Sequence, residues 1–143
     1  MGEYANRLRL TLATFNERGS AMYDDPLVVD AIRSWVDPEV ECVSAGGVQG
    51  GSYRGVDGLL EMVREFASAF TDLTAEVDEV ALETDDALVA SVRYRGKGAV
   101  GGAPIDEAYV WAQRFRDGRA VSFVIDRDRQ VAMRVAGIAT TVQ

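Results

Sequence analysis

The sequence predicts an α+β domain in which a curved antiparallel or mixed sheet wraps around N-terminal helices, giving a conical α+β barrel. Apolar residues recur at helical steps of three and four over the first half of the chain, and they alternate with polar residues after Leu73, as in strands. Asp117-Gly118 is a hairpin signal between two such strands. Because no repeat or long linker interrupts the 143 residues, a single domain over residues 1–143 is expected.

Three helices are expected before the sheet. Tyr4 to Arg18 carries apolar residues at steps of three and four, and Gly19 ends it. The second helix begins at Asp25-Pro26, because the aspartate can cap free amide groups and a proline at the first position needs no donor. It ends at Asp37-Pro38. Asp57 is expected to cap a third helix, which follows a glycine-rich loop.

One short strand, Glu39–Ser44, is expected between the second and third helices. Turn signals separate four longer strands, which are predicted at Thr74–Glu83, Ala87–Arg95, Ile105–Arg116 and Arg119–Asp126. A final helix, Arg129–Ala136, is capped by Asp128 and ended by Gly137. Early helices followed by antiparallel strands are typical of the α+β class.

Composition narrows the possible functions. Acidic residues outnumber basic ones by 23 to 15, and the net charge of −8 repels phosphate backbones, so nucleic acid is not an expected partner. The chain has neither an apolar run of about 18 residues nor a signal-peptide pattern, so no membrane partner is expected. The single cysteine, Cys42, fits a reducing compartment, and the predicted location is cytoplasmic.

The chain has no histidine. This absence removes Ser–His and Cys–His nucleophilic pairs, imidazole bases and the commonest metal ligand. The acidic run of Glu76, Asp78, Glu79 and Glu83 is interpreted as a solvated strand face rather than a metal site. We therefore expect no metal and no cofactor, and any acid–base chemistry must use Asp, Glu, Tyr, Lys, Cys or water.

Six of the fourteen glycines fall between Gly46 and Gly58, directly before the third helix. The segment lacks the lysine of a phosphate-binding loop and the spacing of a dinucleotide fingerprint, so a nucleotide site is not expected. Gly55 and Gly58 are predicted to lie where φ must be positive. The pairs Gly46-Gly47 and Gly50-Gly51 indicate a mobile flap.

Four stretches carry a resemblance to a known family, namely GGSYRGVDGLLEMVREF at 50–66, FNERG at 15–19, FRDGRAVSF at 115–123 and DRQVAMRVAGI at 128–138. They span nearly the whole chain, and they resemble SnoaL-like proteins of the nuclear-transport-factor-2-like superfamily. The resemblance implies a cone that encloses a ligand cavity, and a homodimer formed through the sheet. It implies no single activity, because the family includes isomerases, cyclases, dehydratases, epoxide hydrolases and non-enzymes.

The catalytic patterns that this resemblance implies are only partly present. Where a ketosteroid-isomerase-like site has its carboxylate base, this chain has Cys42, and Trp111 stands near the position of the protonated aspartate. Arg93 matches the arginine of limonene-epoxide-hydrolase-like sites, but Ile125 occupies the position of the last-strand carboxylate. Asp126 lies one residue further on, and it would face the same side only if a bulge re-aimed it.

Alternation places Glu107 and Tyr109 on one face of a long strand, together with Trp111 and Gln113. This large, mixed face is typical of a pocket wall, and Arg93 on the neighbouring strand could meet Glu107 or an anionic ligand group. A cross-strand ion pair at the rim of the sheet is the alternative interpretation of Arg93. The opposite face carries smaller residues, as expected of a face packed against a partner.

The first interpretation is a small-molecule enzyme that acts on an apolar cyclic or polyketide/terpenoid-like compound by cofactor-free acid–base catalysis, as an isomerase, cyclase or hydrolase. Its predicted catalytic residues are Arg93, Glu107, Tyr109 and Asp126. Its predicted ligand-binding residues are Trp35, Cys42, Tyr53, Met62, Phe66, Trp111, Gln113 and Phe123.

The alternative is a non-catalytic ligand-binding or dimeric interaction module, in which the same aromatic residues grip a ligand or fill the core. Two of the ligand-binding assignments also have competing interpretations. Cys42 is favoured as an inert buried thiol, because the sequence places no cation beside it. Tyr53 is either a pocket donor or a loop anchor packed on the third helix.

Overall fold

The computed structural model describes residues 2–44 and 51–139 of the chain. In chain order the elements are α1 Glu3–Arg18, a 3₁₀ helix Gly19–Asp24, α2 Pro26–Trp35, β1 Val36–Ser44, β2 Gly51–Arg54, α3 Gly55–Ser68, β3 Phe70–Thr84, β4 Ala87–Gly98, β5 Pro104–Arg116, β6 Arg119–Asp126 and α4 Arg129–Ala136. No helix in this part of the chain combines the length and the apolar character needed to cross a membrane.

The strands of the described residues form one sheet in the order β2-β1-β6-β5-β4-β3. β1 runs parallel to β6, and the other neighbours are antiparallel, so the sheet is mixed. The N-terminal helices α1, α2 and α3 contribute to the core on its inner face. The predicted α+β class is confirmed, with the difference that the sheet stays open, with β2 and β3 at its edges, instead of closing into a barrel.

The end of α2 differs from the prediction. The Asp25 side chain caps this helix as predicted, by accepting a hydrogen bond from the Leu27 backbone N–H at 2.9 Å. Asp37-Pro38 was expected to end the helix but lies inside β1. The pairing of β1 with β6 shifts register between Val36 and Glu41. A proline is tolerated in a strand at such an irregularity, because no regular ladder hydrogen bond is lost there.

Two glycines at the start of α3 have different roles. Gly55 has a φ of 77°, in the left-handed region that favours glycine, as predicted. The prediction for Gly58 was wrong, because its φ is not positive. Instead, a Cβ there would lie 3.1 Å from the Tyr53 Cβ, so any other residue would push Tyr53 slightly away from α3. Asp57 is not the cap of α3 but lies in its first turn, where it pairs with Arg33 at 3.1 Å.

The strand β2 occupies part of the segment that the glycine content predicted as a loop. Its residues pair antiparallel with β1, from Gly51 opposite Ser44 to Arg54 opposite Glu41. The mobile flap predicted at Gly46-Gly47 and Gly50-Gly51 lies outside the described residues except for Gly51, so it stays a prediction.

The sheet separates two hydrophobic cores. The inner core contains large aromatic side chains, among them Phe66, Tyr94, Tyr109 and Trp111. The outer core is built from smaller residues of the sheet and of α4, namely Ala87, Val89, Val110, Ala112, Val124, Ala132, Ala136 and Ile138. Part of the face that we expected to meet a partner is therefore covered by the chain's own last helix. The homodimer through the sheet stays a prediction.

The helix α4 follows its sequence signals. It spans Arg129–Ala136 as predicted, and the Asp128 side chain caps it by accepting a hydrogen bond from the Val131 backbone N–H at 3.0 Å. Gly137 ends it with a φ of 82°. The cap fixes where α4 begins, and hence which of its residues reach the outer core.

Asn16 joins α1 to the edge strand β3 through two hydrogen bonds. Its amide nitrogen donates to the Ala75 carbonyl at 2.9 Å, and its amide oxygen accepts from the Ala75 N–H at 2.8 Å. β3 has a paired strand on one side only, so the Asn16 side chain takes the place of a further strand at this residue. The two hydrogen bonds hold the helix over the inner face.

Replacing Asn16 with Ala should lower the free energy of unfolding by about 2 kcal/mol, because two hydrogen bonds worth about 1 kcal/mol each are lost. Urea denaturation measures this change. The control is Thr14→Ala, which removes a hydroxyl bonded only to the Leu10 carbonyl of its own helix. An Asn16→Ala variant as stable as this control would show that α1 is held by apolar packing alone.

Candidate functional site

A cavity lies inside the cone, between the N-terminal helices and the inner face of β5 and β6. Its volume is about 40 Å³, which is room for about three water molecules. The lining residues are Tyr4, Arg7, Leu8, Thr11, Tyr23, Ile32, Trp35, Leu59, Leu60, Val63, Trp111, Gln113 and Phe123. The wall is mostly apolar or aromatic, and none of the described residues that line it is an aspartate or a glutamate.

A second cavity of about 20 Å³ adjoins the first. Tyr23, Val63 and Trp111 line both cavities, so these side chains form the partition between them. Phe66 and Tyr94 add aromatic surface to the second cavity. A movement of the partition would join the two spaces into one longer pocket.

Two polar atoms beside this partition are buried without a partner. Neither the indole Nε1 of Trp111 nor the hydroxyl of Tyr94 has a hydrogen-bond partner among the described residues. Burial raises the pKa of Tyr94 well above its ordinary value, and the nearby indole of Trp111 opposes this effect without reaching hydrogen-bond geometry. If the indole N–H turned towards the Tyr94 oxygen, the hydroxyl proton would still lack an acceptor. Such orphaned donors are rare in native proteins.

Arg7 stands at the rim of the larger cavity. Its guanidinium carbon lies 3.9 Å from the Trp35 ring centroid, and 5.3 and 5.7 Å from those of Tyr4 and Phe115. Tyr4 and Phe115 are themselves stacked, with centroids 3.7 Å apart. The Nη2 atom of Arg7 is buried and has no hydrogen-bond partner among the described residues. Burial lowers the pKa of this guanidinium, because its charged form has lost contact with water.

Glu107 and Tyr109, two of the predicted catalytic residues, lie together at one end of the inner face. The Tyr109 hydroxyl lies 3.2 Å from the Glu107 carboxylate, to which it can donate. Arg127 donates to that carboxylate and to the Tyr109 oxygen, both at 2.8 Å. Burial is the main reason that the pKa of Tyr109 is raised, so its hydroxyl keeps its proton. This group lines neither of the two cavities.

The other two predicted catalytic residues lie on the outer face. Arg93 pairs with Asp106 at 2.7 Å and with Asp78 at 3.6 Å, which is the cross-strand arrangement of the alternative interpretation. Asp126 is buried opposite Val110 of the outer core, and its carboxylate accepts from the Asp128 backbone N–H at 2.8 Å. No bulge re-aims Asp126 into the cone, since its pairing with β5 is regular there.

A family model for the SnoaL-like domain matches residues 23–123, which is more than half of the chain. The chain belongs to the SnoaL-like family. This family includes polyketide cyclases and isomerases. The match contains the walls of the cavity that α2, α3, β5 and β6 supply, but not those that α1 supplies. No curated protein matches this SnoaL-like sequence.

Solved structures with the same fold share little sequence with this SnoaL-like protein. A nuclear-transport-factor-2-like protein of unknown function from Burkholderia pseudomallei is 21% identical with a TM-score of 0.59, over 87% of this chain and 97% of the other. A proposed SnoaL-like polyketide cyclase from Jannaschia sp. CCS1 is 16% identical with a TM-score of 0.60, over 92% and 93%. TerC, co-crystallised with polyporic acid, is 18% identical with a TM-score of 0.59, over 90% and 98%. At these identities the likeness shows the fold alone.

Five of the residues predicted to bind a ligand line the cavities of this SnoaL-like protein. Those on the larger cavity are Trp35, Trp111, Gln113 and Phe123, and those on the smaller one are Phe66 and again Trp111. All but Trp35 are buried, so their contact with any ligand would be inside the cone. Their role in binding stays a prediction.

The remaining three lie elsewhere. Met62 is fully buried in the inner core and lines neither cavity. Cys42 is also buried, and burial raises the pKa of its thiol to about 12, so it has the character of an inert core residue. Tyr53 packs on α3 and donates to Glu65, which raises the pKa of Tyr53 to about 12. Of the two interpretations of Tyr53, this geometry agrees with a loop residue that is packed on the third helix.

The sequence interpretation did not find Arg7 and Tyr23. Arg7 follows Tyr4 by three residues and precedes Leu8, so it lies at the border of the apolar stripe of α1. A cation at this border is the sequence feature from which a site residue could have been predicted. Tyr23 lies in the 3₁₀ helix, which was not predicted. Its place on both cavities follows from tertiary packing and had no local signal.

Cys42 should react with thiol reagents at least about a hundredfold more slowly in the folded protein than in denaturant at about pH 8, because only the thiolate reacts. Its pKa of about 12 in the fold returns towards about 9 on unfolding. The unfolded thiol ionises first, so the same shift lowers stability as the pH rises above about 9. Labelling kinetics with a chromogenic disulfide reagent measure the ratio, and equally fast labelling of the folded protein would contradict an inert thiol.

Proposed function

We propose that this SnoaL-like protein binds a small, largely apolar molecule inside the cone, and that an oxygen of this molecule accepts a hydrogen bond at the partition between the cavities. The observation that carries the proposal is the buried, unpartnered indole N–H of Trp111 in a mostly apolar wall. An unpaired buried donor costs about 1–3 kcal/mol. An acceptor on the ligand recovers this free energy, and the Tyr94 hydroxyl offers a second donor.

The lining favours a cyclic ligand. The rings of Trp35, Trp111 and Phe123 supply flat apolar surface around the larger cavity. Among proteins of this fold, one is a proposed polyketide cyclase, and TerC was co-crystallised with polyporic acid. These relatives support an apolar cyclic or polyketide-like ligand as the class. Even a compound of one ring needs the partition to move, since the two cavities together have room for only a few water molecules.

Acetophenone and ethylbenzene test this proposal, because they share a ring and differ chiefly in one carbonyl oxygen. Acetophenone should bind about tenfold more tightly, since one recovered hydrogen bond is worth about 1–3 kcal/mol. Both tryptophans of the chain line the larger cavity, so intrinsic fluorescence reports binding. Thermal shift provides a second measurement.

Trp111→Phe keeps an aromatic ring but removes Nε1, so it should remove most of the preference for acetophenone while ethylbenzene still binds, and only the Tyr94 hydroxyl then remains as a donor. Trp35→Phe is the matched control, because it makes the same change in the other tryptophan of the cavity and should keep the preference. Equal affinities of the unmodified protein for the two molecules, or no binding of either, would count against the proposal.

A second candidate function is cofactor-free proton transfer on the bound molecule. The observation that favours it is the group of Glu107, Tyr109 and Arg127, in which a carboxylate, a hydroxyl and a cation meet within 3.2 Å. A carboxylate can remove a proton next to a carbonyl, and a hydroxyl or a cation can stabilise the enolate that forms. Because this group lines neither cavity, the substrate would have to extend past Phe66 towards it.

Exchange of the acetophenone methyl protons for deuterium, followed by NMR, detects such proton transfer. Glu107→Gln should abolish the exchange that the protein catalyses, because an amide cannot act as the base, and it should leave acetophenone binding unchanged. The control is Asp106→Asn, which alters the adjacent carboxylate on the opposite face of β5. Undiminished exchange in Glu107→Gln would exclude Glu107 as the base, and no exchange with the unmodified protein would leave binding as the function.

A further inference from the structure

We infer that the ligand of the larger cavity is an anion, and that Arg7 at the rim binds its negative charge. This inference rests on the proposed function, because it assigns the chemical class of the molecule held in the same cavity. The class is a small monoanion with an apolar ring, such as an arylcarboxylate. Its ring would lie among the apolar residues of the cavity, and its charged oxygens would face the guanidinium.

Arg7 differs from the other arginines in the described part of the chain. Those that pair with a carboxylate are Arg18, Arg33, Arg54, Arg64, Arg93, Arg95, Arg127 and Arg129. Those that lie exposed are Arg9, Arg116, Arg119 and Arg134, and Arg114 donates to the Ala136 carbonyl. Arg7 is half-buried, yet it forms no ion pair with any described residue in a chain that has 23 acidic residues. An unpaired, partly desolvated cation is a costly arrangement, so it calls for an anion from outside.

The surroundings of Arg7 suit a planar anion. The guanidinium carbon lies over the Trp35 ring, 3.9 Å from its centroid, and this cation–π contact limits where the guanidinium can move. The Nη2 atom is buried and unpartnered. A guanidinium presents parallel N–H groups that match the two oxygens of a carboxylate. The guanidinium therefore offers donors that suit a carboxylate or a similar oxyanion.

The attraction must be local. The net charge of −8 repels anions from the protein as a whole, so only a directed contact can select one. No carboxylate of the described lining residues competes for Arg7, and Glu3, which attracts it and raises its pKa, lies beyond ion-pair distance. The Gln113 amide, on the same wall and 3% exposed, provides a further polar group inside the cavity.

The competing explanation is that Arg7 only fastens α1 to α2 through its stack on Trp35. The two explanations differ in what they require of a ligand. A purely structural arginine gives equal affinity for a neutral and a charged molecule of the same shape. An anion site gives a preference for the charged one, and this preference depends on the cation.

Benzoate and acetophenone have nearly the same shape and differ in charge, so their affinities for the unmodified protein and its variants separate the explanations. Benzoate should bind at least about tenfold more tightly than acetophenone, because hydrogen bonds between charged partners are the stronger ones.

Arg7→Gln should lose this preference and keep its acetophenone affinity. Arg7→Lys retains the charge without the planar donor edge, so it should keep part of the preference. The matched control is Arg9→Gln, which removes the same charge from an exposed position of α1 and should change neither affinity.

Each outcome decides a different point. Equal binding of benzoate and acetophenone to the unmodified protein would overturn the anion inference and leave the proposed function standing. A preference for benzoate that survives Arg7→Gln would overturn the role of Arg7. Binding of neither molecule would overturn the proposed function, and the inference with it. If Arg7→Gln does not fold, the ¹⁵N resonance of the Arg7 Nε in the unmodified protein provides the test. This resonance should shift when benzoate is added and stay in place when acetophenone is added. Equal shifts with the two molecules would overturn the inference.

Discussion

The alternation of side chains along β5 decides what the interior of this protein can contact. Tyr109, Trp111 and Gln113 point to the inner face, and Val110 and Ala112 point to the outer one. The large inner rings pack against the helices and leave small cavities between them, whereas the small outer residues let α4 lie against the sheet. A shift of one residue would exchange the two faces and turn Tyr109 and Trp111 away from the inner core. The cone, its cavities and its covered outer face therefore depend on one register.

The same alternation explains which parts of the candidate site could be predicted. Spacing alone puts Glu107, Trp111 and Gln113 on one face, and the structure agrees. The position of Arg93 cannot be derived in this way, because it depends on how β4 is paired with β5. Glu107 lies opposite Tyr94, whose ring is in the inner core, so Arg93 is turned to the outer face. The alternation of side chains within a strand is a local property, whereas the register between strands is set by the whole sheet.

Two elements with strong local signals were predicted to the residue, whereas a strand that depends on distant partners was missed. A hairpin dipeptide and a capping aspartate define β6 and α4, and both elements span the predicted residues. The strand β2 has four residues and glycine at its start, and it exists because β1 and the Tyr53 contact with α3 support it. Arg7 has the sequence signature of an ordinary helix surface. It becomes part of a site only because Trp35 and Phe115, from two other elements, close around it.

Buried polar atoms without hydrogen-bond partners lower the stability of this protein, and a ligand that binds them can restore it. The buried atoms Arg7 Nη2, Tyr94 Oη and Trp111 Nε1 lack partners among the described residues, and each unsatisfied group costs about 1–3 kcal/mol. Apolar side chains at these positions would make the protein without a ligand more stable. The donors are therefore best explained by a molecule that accepts hydrogen bonds from them. In the proposed complex, their order would match a molecule with charge at the rim, an oxygen at the partition and apolar surface between. Since the carboxylate of Glu107 lines neither cavity, the proposed recognition and the proposed proton transfer would occupy different places in the cone, and a ligand that satisfies the donors need not reach Glu107.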